Sequence, residues 1–595
     1  MWTPLRAAAP AARAALHGVG AAHVKTRCFH AVQLAALRPS TSRTGVVAAP
    51  TAHGTYTVPL VLARTASTSS ATTSNDARRA ELDAFAVEFL SVVTPAVARA
   101  TDPRQSATLL RTLVRSGLLK YTDMRDDPEK FFLAHRLLAT IGLGGFGIRF
   151  TVQFNLFAGS ILGLGTDAQV EELEALQPSG ELGCFLLTEM QAGVLSGLIV
   201  KTTATWDVGA GCFVLRTPDD AAAKNWISQG FTASKGVVLA DLIDGEGASH
   251  GPHAFVMDLR EEAAASDSAA PGGVGALRPG VRVEDMGSKT VANDLDNARV
   301  WFDGVQLPHG ALLARFATVD AATGAYEQCG DEPMRLEVIG QRLLTGRLAI
   351  AEAALVSARV LFAKTEAYAA QKVCNGLGGE VKLAALPQLA ATFAEGGAEL
   401  DRLLAYCRGV EDRLAACLRA GTIPDAPLVE AIAVAKIRAI AVATERAHAL
   451  RQEVGSHALM GHTGFELADM FLCCKFAEGD SRILQQKLAR DRLKALRRGG
   501  VAGAAAAIAR GEWREVVAAA ALGRTLAAAG RDDPAALSAA WDGAWREVYA
   551  LADLVADRYE REAAAAPGAG GFTEPIVERL QRFDTGFDAD WKDKL

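Results

Sequence analysis

Apolar positions recur at helical spacing from Asp76 to about Ser179. In A-E-L-D-A-F-A-V-E-F-L-S-V-V, Leu82, Phe85, Phe89 and Val92 fall on one side of a helix. Between Leu182 and about Leu313 the texture changes. Short β-rich runs, C-F-V-L-R, G-V-V-L-A, A-F-V-M-D-L and A-R-V-W-F-D, are separated by Gly, Asp and Pro. They predict a compact antiparallel, barrel-like β-domain over 181–320, with E-E-A-A-A-S-D-S-A-A-P-G-G as a surface loop. From about Met334 to Arg498 long Ala/Leu-rich helical patterns return, broken at G-L-G-G and at G-T-I-P-D. They predict a bundle of four or five long helices over 333–498. A further helical extension, 499–595, is broken by P-G-A-G-G near Pro567. The layout is therefore mostly α with a central β-domain: a helical domain over 76–180, the β-block, the bundle and the extension.

Residues 1–75 have a different character. Arg6, Arg13, Lys25, Arg27, Arg38, Arg43 and Arg64 occur there, Ala, Ser and Thr dominate, and no Asp or Glu precedes Asp76. No clean apolar stretch of a secretory signal is present. This composition predicts a disordered transit peptide removed from the mature protein, with the mitochondrion as destination and the plastid sharing the signature. A tail without an address has the same composition. The final Lys592-Asp593-Lys594-Leu595 matches neither S-K-L nor K-D-E-L.

The remaining bulk properties exclude more than they assign. With 595 residues there is room for roughly three to four domains of about 150 residues. A net charge of -6 gives no basic field for nucleic acid. No apolar run reaches the ~18 residues of a membrane span; Glu189 interrupts the nearest one, Phe185 to Val200. The nine cysteines show no metal-ligand spacing and read as reduced thiols.

Two segments of the β-block carry candidate chemistry. Thr188-Glu189-Met190-Gln191-Ala192-Gly193 follows the short strand G-C-F-L-L. A Thr/Glu pair entering a small-residue turn can present a hydroxyl and backbone N–H groups to a polar ring or phosphate; a strand-end turn without a ligand explains it equally. Lys224-Asn225-Trp226-Ile227-Ser228-Gln229-Gly230 follows. A Trp beside Ser and Gly can wall a planar cofactor, or simply fill a β-layer.

In this order the two segments resemble T-E-x-x-A-G and K-x-W-I-[TS]-x-G of the acyl-CoA dehydrogenase and oxidase family. The resemblance implies the family's fold, bound FAD and desaturation of a fatty acyl-CoA next to its carbonyl. It implies that Thr188 meets the flavin pyrimidine side, that Trp226 and Ser228 meet its N5 side, and that Gly193 completes the turn. Met190 stands where the dehydrogenases have Pro. Thr203-Ala204-Thr205-Trp206-Asp207 resembles T-A-T-Y-D of the oxidase branch. Met286-Gly287-Ser288-Lys289, Leu295-Asp296-Asn297 and Phe302 to Pro308 resemble its following strand pair. The oxidase branch implies oxygen as electron acceptor, peroxide as product and usually a peroxisomal address; the dehydrogenase alternative passes electrons to an electron-transfer flavoprotein. A non-catalytic flavin-binding scaffold is a third possibility.

The helical block extends the resemblance. Arg347, in T-G-R-L-A-I-A-E-A-A-L, reads as the start of an amphipathic helix, and the resemblance makes it a candidate CoA contact. Tyr368-Ala369-Ala370-Gln371-Lys372 resembles Y-A-x-x-R, whose Arg binds FAD phosphates across a subunit contact. Lys372 keeps the charge and loses the bidentate fork. Gln388 matches a family Gln that helps hold FAD, so a homodimer is implied. Finally, Gly461-His462-Thr463-Gly464-Phe465 precedes Glu478-Gly479-Asp480-Ser481. This resembles G-G-x-G-[YF] followed by E-G-[TED]-[SN], in which the Glu removes the α-proton and its neighbours approach the cofactor. Glu478 and Asp480 take those places; an exposed turn between helices is the plain alternative. Lys487, Arg490, Arg492, Lys494, Arg497 and Arg498 read either as a solvated helix face or as an attractor of CoA phosphates.

Overall fold

The computed structural model describes residues 68–97, 102–142, 144–193, 199–261, 275–329, 336–461, 463–530 and 533–565. The transit-peptide expectation falls almost wholly outside them, as do the loop 262–274, His462 and the C-terminal tetrapeptide. Backbone contacts separate Met1–Ala71 from Thr72–Leu595; the architecture below belongs to the second unit.

Helix α1, Thr68–Val97, begins upstream of Asp76, through a Ser/Thr run whose weak helix propensity gives no such signal. Helix α2, Pro103–Ser116, starts where Asp102 accepts from the backbone N–H groups of Arg104 and Gln105, and stops at left-handed Gly117. Helices α3, Asp123–Asp126, α4, Pro128–Ile141, and α5, Gly145–Thr151, follow. A π-helical stretch, Val152–Ala158, leads into α6, Gly159–Leu164. Helix α7, Asp167–Leu176, opens with a Thr166/Gln169 capping box. Phe89, Phe131, Phe132, Phe150, Phe154 and Phe157 are fully buried in this domain.

The β-domain is one curled eight-stranded sheet. Its strands are β1 Gly183–Leu186, β2 Thr203–Asp207, β3 Cys212–Arg216, β4 Lys224–Ser228, β5 Lys235–Ile243, β6 Ser249–Asp258, β7 Val281–Asp285 and β8 Asn297–Pro308. The order is β1-β5-β2-β3-β8-β4, with β6 added on β5 and β7 on β8. Most pairings are antiparallel as the sequence implies, but β5 runs parallel to both β1 and β2. Strand alternation alone does not distinguish these pairings, because both faces of β5 are buried. A small hairpin, β9 Ala317–Val319 and β10 Tyr326–Gln328, carries the chain past residue 320.

Arg149 docks the helical domain on the sheet. Its fully buried guanidinium donates to Thr232 Oγ1 at 2.7 Å, Asp296 Oδ1 at 2.8 Å, Ser106 Oγ at 3.1 Å and Gln229 Oε1 at 3.2 Å. A buried charge this fully paired fixes one relative placement of the elements it joins.

The bundle consists of α8, Leu336–Gln371, α9, Pro387–Ala420, and α10, Ala426–Val454, with the shorter α11, Ala468–Phe476, and then α12, Ser481–Ala509. A hairpin, β11 Val373–Gly376 and β12 Gly379–Lys382, occupies the G-L-G-G break. Arg347 therefore lies inside α8, not at a helix start: the helix already begins at Leu336 and runs through Gly346. A buried cluster ties the first domain to the bundle, with Arg136 of α4 donating to Glu352 of α8 at 2.5 Å and Glu411 of α9 at 2.6 Å.

Gly500, with φ 56°, kinks α12 where the extension was expected to begin. Helices α13, Trp513–Ala528, α14, Pro534–Gly543, and α15, Trp545–Ala565, continue it to the end of the described residues; the P-G-A-G-G break lies outside them. Half of the basic run on α12 is engaged within the fold, while Lys494, Arg497 and Arg498 are exposed. Arg492 Nε meets Glu515 Oε2 at 2.6 Å and its guanidinium pairs with Glu512, Lys487 pairs with Asp491, and Arg490 lies over the Trp541 ring. No described helix is long and apolar enough to cross a membrane, and no metal-holding cluster occurs among the described residues.

Candidate active site

The β-domain half is built from β1, β4 and a buried ion pair. Just past the end of β1, Thr188 accepts from Asn225 N–H at 2.8 Å, which sets the T-E-M turn beside the K-N-W-I-S strand. Glu189 turns inward. Its carboxylate meets Lys224 Nζ at 2.9 Å and accepts from the N–H groups of Lys201 at 2.8 Å and Thr202 at 3.0 Å. Lys224 also donates to Leu239 O at 2.7 Å. Burial pushes this lysine down to about 8, against the Glu189 charge. The Glu of one motif and the Lys of the other are thus a buried clamp holding both motifs together, a role the sequence reading did not give them.

With Glu189 inside, Thr188 is exposed. The register between β4 and β8 slips between Lys224 and Ile227, and Trp226 takes φ 60°. Such a bulge re-aims a side chain, and Trp226 is left 56% exposed. Beside it, Asn225 Oδ1 is buried without a partner. Ser228 is half-buried, its hydroxyl accepting from Asn297 Nδ2 at 3.2 Å. Gln229, at φ 69°, is the residue gripped by Arg149. Gly193 is exposed at the edge of this surface.

The helical half is the turn between α11 and α12. Helix α11 stops at Ala477, whose backbone is extended; Glu478 follows at φ 58° and Gly479 at φ 99°, and Asp480 caps α12 by accepting from Arg482 N–H at 2.6 Å. A left-handed conformation costs a residue such as Glu about 1–2 kcal/mol. Surrounding contacts hold it there. Arg347 Nε donates to Glu478 O at 2.8 Å. Lys436 of α10, fully buried, donates to Ala477 O at 2.6 Å, to Lys475 O at 3.4 Å and to Gly479 O. The Glu478 carboxyl rests on bare backbone of α8: a Cβ at Gly346 would lie 2.4 Å from Glu478 Cδ. Glu478 Oε2 is buried and has no hydrogen-bond partner. Burial pushes the carboxyl up to about 7, with Arg347 and Lys436 pulling the other way.

Among the described residues, the non-glycine positions with positive φ are Trp226, Gln229, Ala292 and Glu478. Three of them lie in the two candidate segments. Strain of this kind persists where the surroundings over-determine it, and it clusters at functional sites.

The sequence-assigned residues separate into three groups. Thr188, Gly193, Trp226 and Ser228 share the β-domain edge. Glu478, Asp480 and Arg347 share the helical turn, with Arg347 engaged by the Glu478 carbonyl. Lys289 of the β-domain donates from Nζ to Leu295 O at 2.7 Å, and its charge pulls the Cys473 thiol of α11 down against burial. Lys372 and Gln388 stand apart, both exposed, where α8 passes through the β11–β12 hairpin into α9. The sequence reading missed Lys436, Gly346 and Arg149. A lysine in A-V-A-K-I-R-A gives one signal only, its apolar flanks.

No family model matches the chain. It is 33% identical over 216 residues to the peroxisomal acyl-coenzyme A oxidase 2 of Arabidopsis thaliana, covering 35% of this chain and 29% of that protein. It is 28% identical over 470 residues to acyl-coenzyme A oxidase 2 of Yarrowia lipolytica, covering 74% of this chain and 62% of that protein. The chain is similar to acyl-CoA oxidases. The matched regions span less than two thirds of these relatives' length. Its fold is also theirs: acyl-CoA oxidase-2 of Caenorhabditis elegans, solved with FAD, an ascaroside-CoA and ATP, superimposes with a TM-score of 0.65 at 20% identity, over 85% of this chain and 79% of that one.

One expectation is overturned. The Arabidopsis oxidases are named peroxisomal, so the mitochondrial assignment does not stand. An acid-free, Arg- and Ala-containing stretch has the bulk composition of an address without specifying one.

Proposed function

We propose that the chain is a peroxisomal FAD-dependent acyl-CoA oxidase, converting a fatty acyl-CoA to its trans-2-enoyl-CoA and oxygen to hydrogen peroxide in fatty acid β-oxidation. The observation that carries this is Glu478: a half-buried glutamate whose Oε2 is buried without a hydrogen-bond partner, held left-handed in the E-G-D-S turn, in the fold that acyl-CoA oxidases share. A carboxyl raised toward neutrality is matched to its task, because a base whose pKa lies near the working pH is both deprotonated and proton-hungry.

The β-domain edge fits a flavin. An exposed Thr188 hydroxyl, an out-turned Trp226, the Ser228 hydroxyl and the unpartnered Asn225 Oδ1 offer a flat wall with donors and acceptors along one side. When bound there, FAD supplies the hydride acceptor that no side chain can provide. Thr188, Trp226 and Ser228 hold its ring; Glu189 and Lys224 keep the two holding segments in register. Glu478 takes the α-proton from the thioester, and Gly346 leaves the room that lets its carboxyl reach the cleft. Lys372 and Gln388 would meet the cofactor of a second copy in a homodimer, with Lys372 offering a single point charge to phosphate.

The test uses purified, FAD-loaded protein and a panel of acyl-CoA chain lengths. Under air, stoichiometric peroxide and enoyl-CoA are expected. Anaerobic bleaching by acyl-CoA that air does not reverse, but an electron-transfer flavoprotein does, would instead make it a dehydrogenase. Yellow protein inert to every acyl-CoA would leave only a flavin-binding scaffold.

A further inference from the structure

Lys436 has no part in the reaction as set out above, yet it is the buried cation nearest the turn that carries the base. Its ammonium has three N–H bonds to give, and three backbone carbonyls receive them: Lys475 O at the end of α11, Ala477 O immediately before Glu478, and Gly479 O immediately after it. Arg347 takes the carbonyl of Glu478 itself. Two cations from two helices thus hold the carbonyls of residues 475, 477, 478 and 479. Neither of them forms a salt bridge with the Glu478 carboxylate.

We propose that Lys436 is a positioning residue, whose protonated form holds the Glu478 turn left-handed and keeps the Glu478 carboxyl ionised. This rests on the reading of Glu478 as the base. The chemistry is directional. An ammonium satisfies all three carbonyls; a neutral amine has only two N–H bonds and turns its lone pair toward the third. Loss of that proton therefore removes one of the donors that hold these carbonyls, beside a residue already in a costly conformation; Lys475 O keeps Ser481 Oγ at 3.3 Å, whereas Ala477 O and Gly479 O rely on Lys436. It also removes one of the two positive charges that favour the Glu478 carboxylate.

The ionisable surroundings are few. From α8 comes Arg347, from α11 the thiols Cys473 and Cys474, from the turn Asp480, and from the β-domain Lys289 acting on Cys473. Cys474 is pushed up by burial and stays a thiol near neutrality. Lys436 itself is brought down to about 7 by burial and by Arg347. Glu478 and Lys436 thus exchange protons over the same range, and their steps belong to the pair. Activity then has an acid limb from Glu478, which must lose its proton, and an alkaline limb from Lys436, which must keep its own.

The test needs a signal that does not depend on turnover. Holoprotein labelled with ¹³C at glutamate side-chain carboxyls is titrated from acid to alkali, and the resonance missing from Glu478→Gln protein is that of Glu478. In the wild type this resonance should titrate near neutrality in two overlapping steps, the more alkaline of them as Lys436 loses its proton. In Lys436→Met it should titrate about one unit higher, tenfold in proton affinity, and the alkaline step should vanish. Lys436→Arg, which keeps a charge, should recover part of the shift. In turnover, Lys436→Met should move the acid limb upward and flatten the alkaline limb. An unchanged Glu478 titration in folded Lys436→Met overturns the proposal. Should that variant not fold, a wild-type Glu478 resonance with no alkaline step overturns it as well. Failure of every acyl-CoA to bleach wild-type flavin would sink the proposed activity while leaving this titration to decide the role of Lys436.

Discussion

Glu189 and Glu478 each sit beside a fully buried lysine, and the two pairs are wired in opposite ways. At Glu189 the lysine goes to the carboxylate, and two backbone N–H groups complete its shell. At Glu478 the lysine goes to backbone carbonyls, and one carboxylate oxygen is left with no partner. The first arrangement spends the charge on structure, tying the end of β1 to β4. The second leaves Glu478 Oε2 without a partner and uses the cation to fix the backbone around it. An unsatisfied buried carboxyl costs stability, so its persistence in an over-determined turn marks it for chemistry, whereas a satisfied one marks an anchor.

The largest effect expected from breaking this contrast is at the unsatisfied member. Glu478→Gln keeps the shape and removes the proton acceptor. It should fold, bind FAD and acyl-CoA, and lose about 10²–10⁴ in the rate of substrate bleaching, the usual worth of a general base. Dithionite should still bleach it. Turnover near wild type would show that the base lies elsewhere. The satisfied member should respond in the other currency. Glu189→Gln leaves Lys224 buried without its carboxylate, and breaking such a pair costs about 3–5 kcal/mol of stability. Denaturant melts should show that loss, while FAD-replete protein that survives should keep its pH profile. An altered profile with unchanged stability would dissolve the distinction between the two glutamates.

Gly346→Ala approaches the same turn from α8. Its Cβ would fall 2.4 Å from Glu478 Cδ, so the carboxyl must move. A displacement of about 1 Å at a reacting group can cost on the order of 10²-fold. The expected result is a fall in turnover with FAD affinity unchanged and helix content kept. If activity is retained, the carboxyl has somewhere else to go and the site is looser than its contacts indicate.

What the chain discloses in sequence follows the same division. The turns at Trp226, Thr188 and Glu478 are legible because they need particular neighbours: Gly479 at φ 99° after Glu478, small residues after Thr188, Gly230 after the Trp226 bulge. The α-β-α layout is legible because the apolar period changes between blocks. The residues behind the site are not. Lys436, Arg149 and Arg136 are charged residues in helical runs, where periodicity reads them as solvated, and only tertiary packing shows the carbonyls and carboxylates they meet. The same limit made Arg347 a helix start, and made Arg492 part of a solvated face when it is paired with Glu512 and Glu515. The parallel pairings of β5 were hidden for a related reason: strand partners far apart in sequence leave no local mark.

The smallest effect concerns Asp480, where one side chain is offered two roles. Its carboxylate accepts from Arg482 N–H at 2.6 Å and caps α12. The family resemblance places a cofactor contact at this position. Loss of an Asp cap to Ala costs about 0.5–2 kcal/mol, and Asn caps nearly as well. Asp480→Ala should therefore lower the denaturation midpoint modestly, and Asp480→Asn should restore it. If capping is the whole role, FAD affinity will follow stability in both variants. If the side chain also reaches the cofactor, Asp480→Asn will recover stability while FAD release on dilution stays faster than in wild type. Asp480 carries no charge contact to the Glu478 carboxyl and acts on it only through Lys436, so either variant should move the acid limb of activity less than Lys436→Met does. An equal or larger shift of that limb in Asp480→Asn would mean that the turn communicates charge as well as shape, and that Arg347 and Lys436 are not its only electrostatic setting.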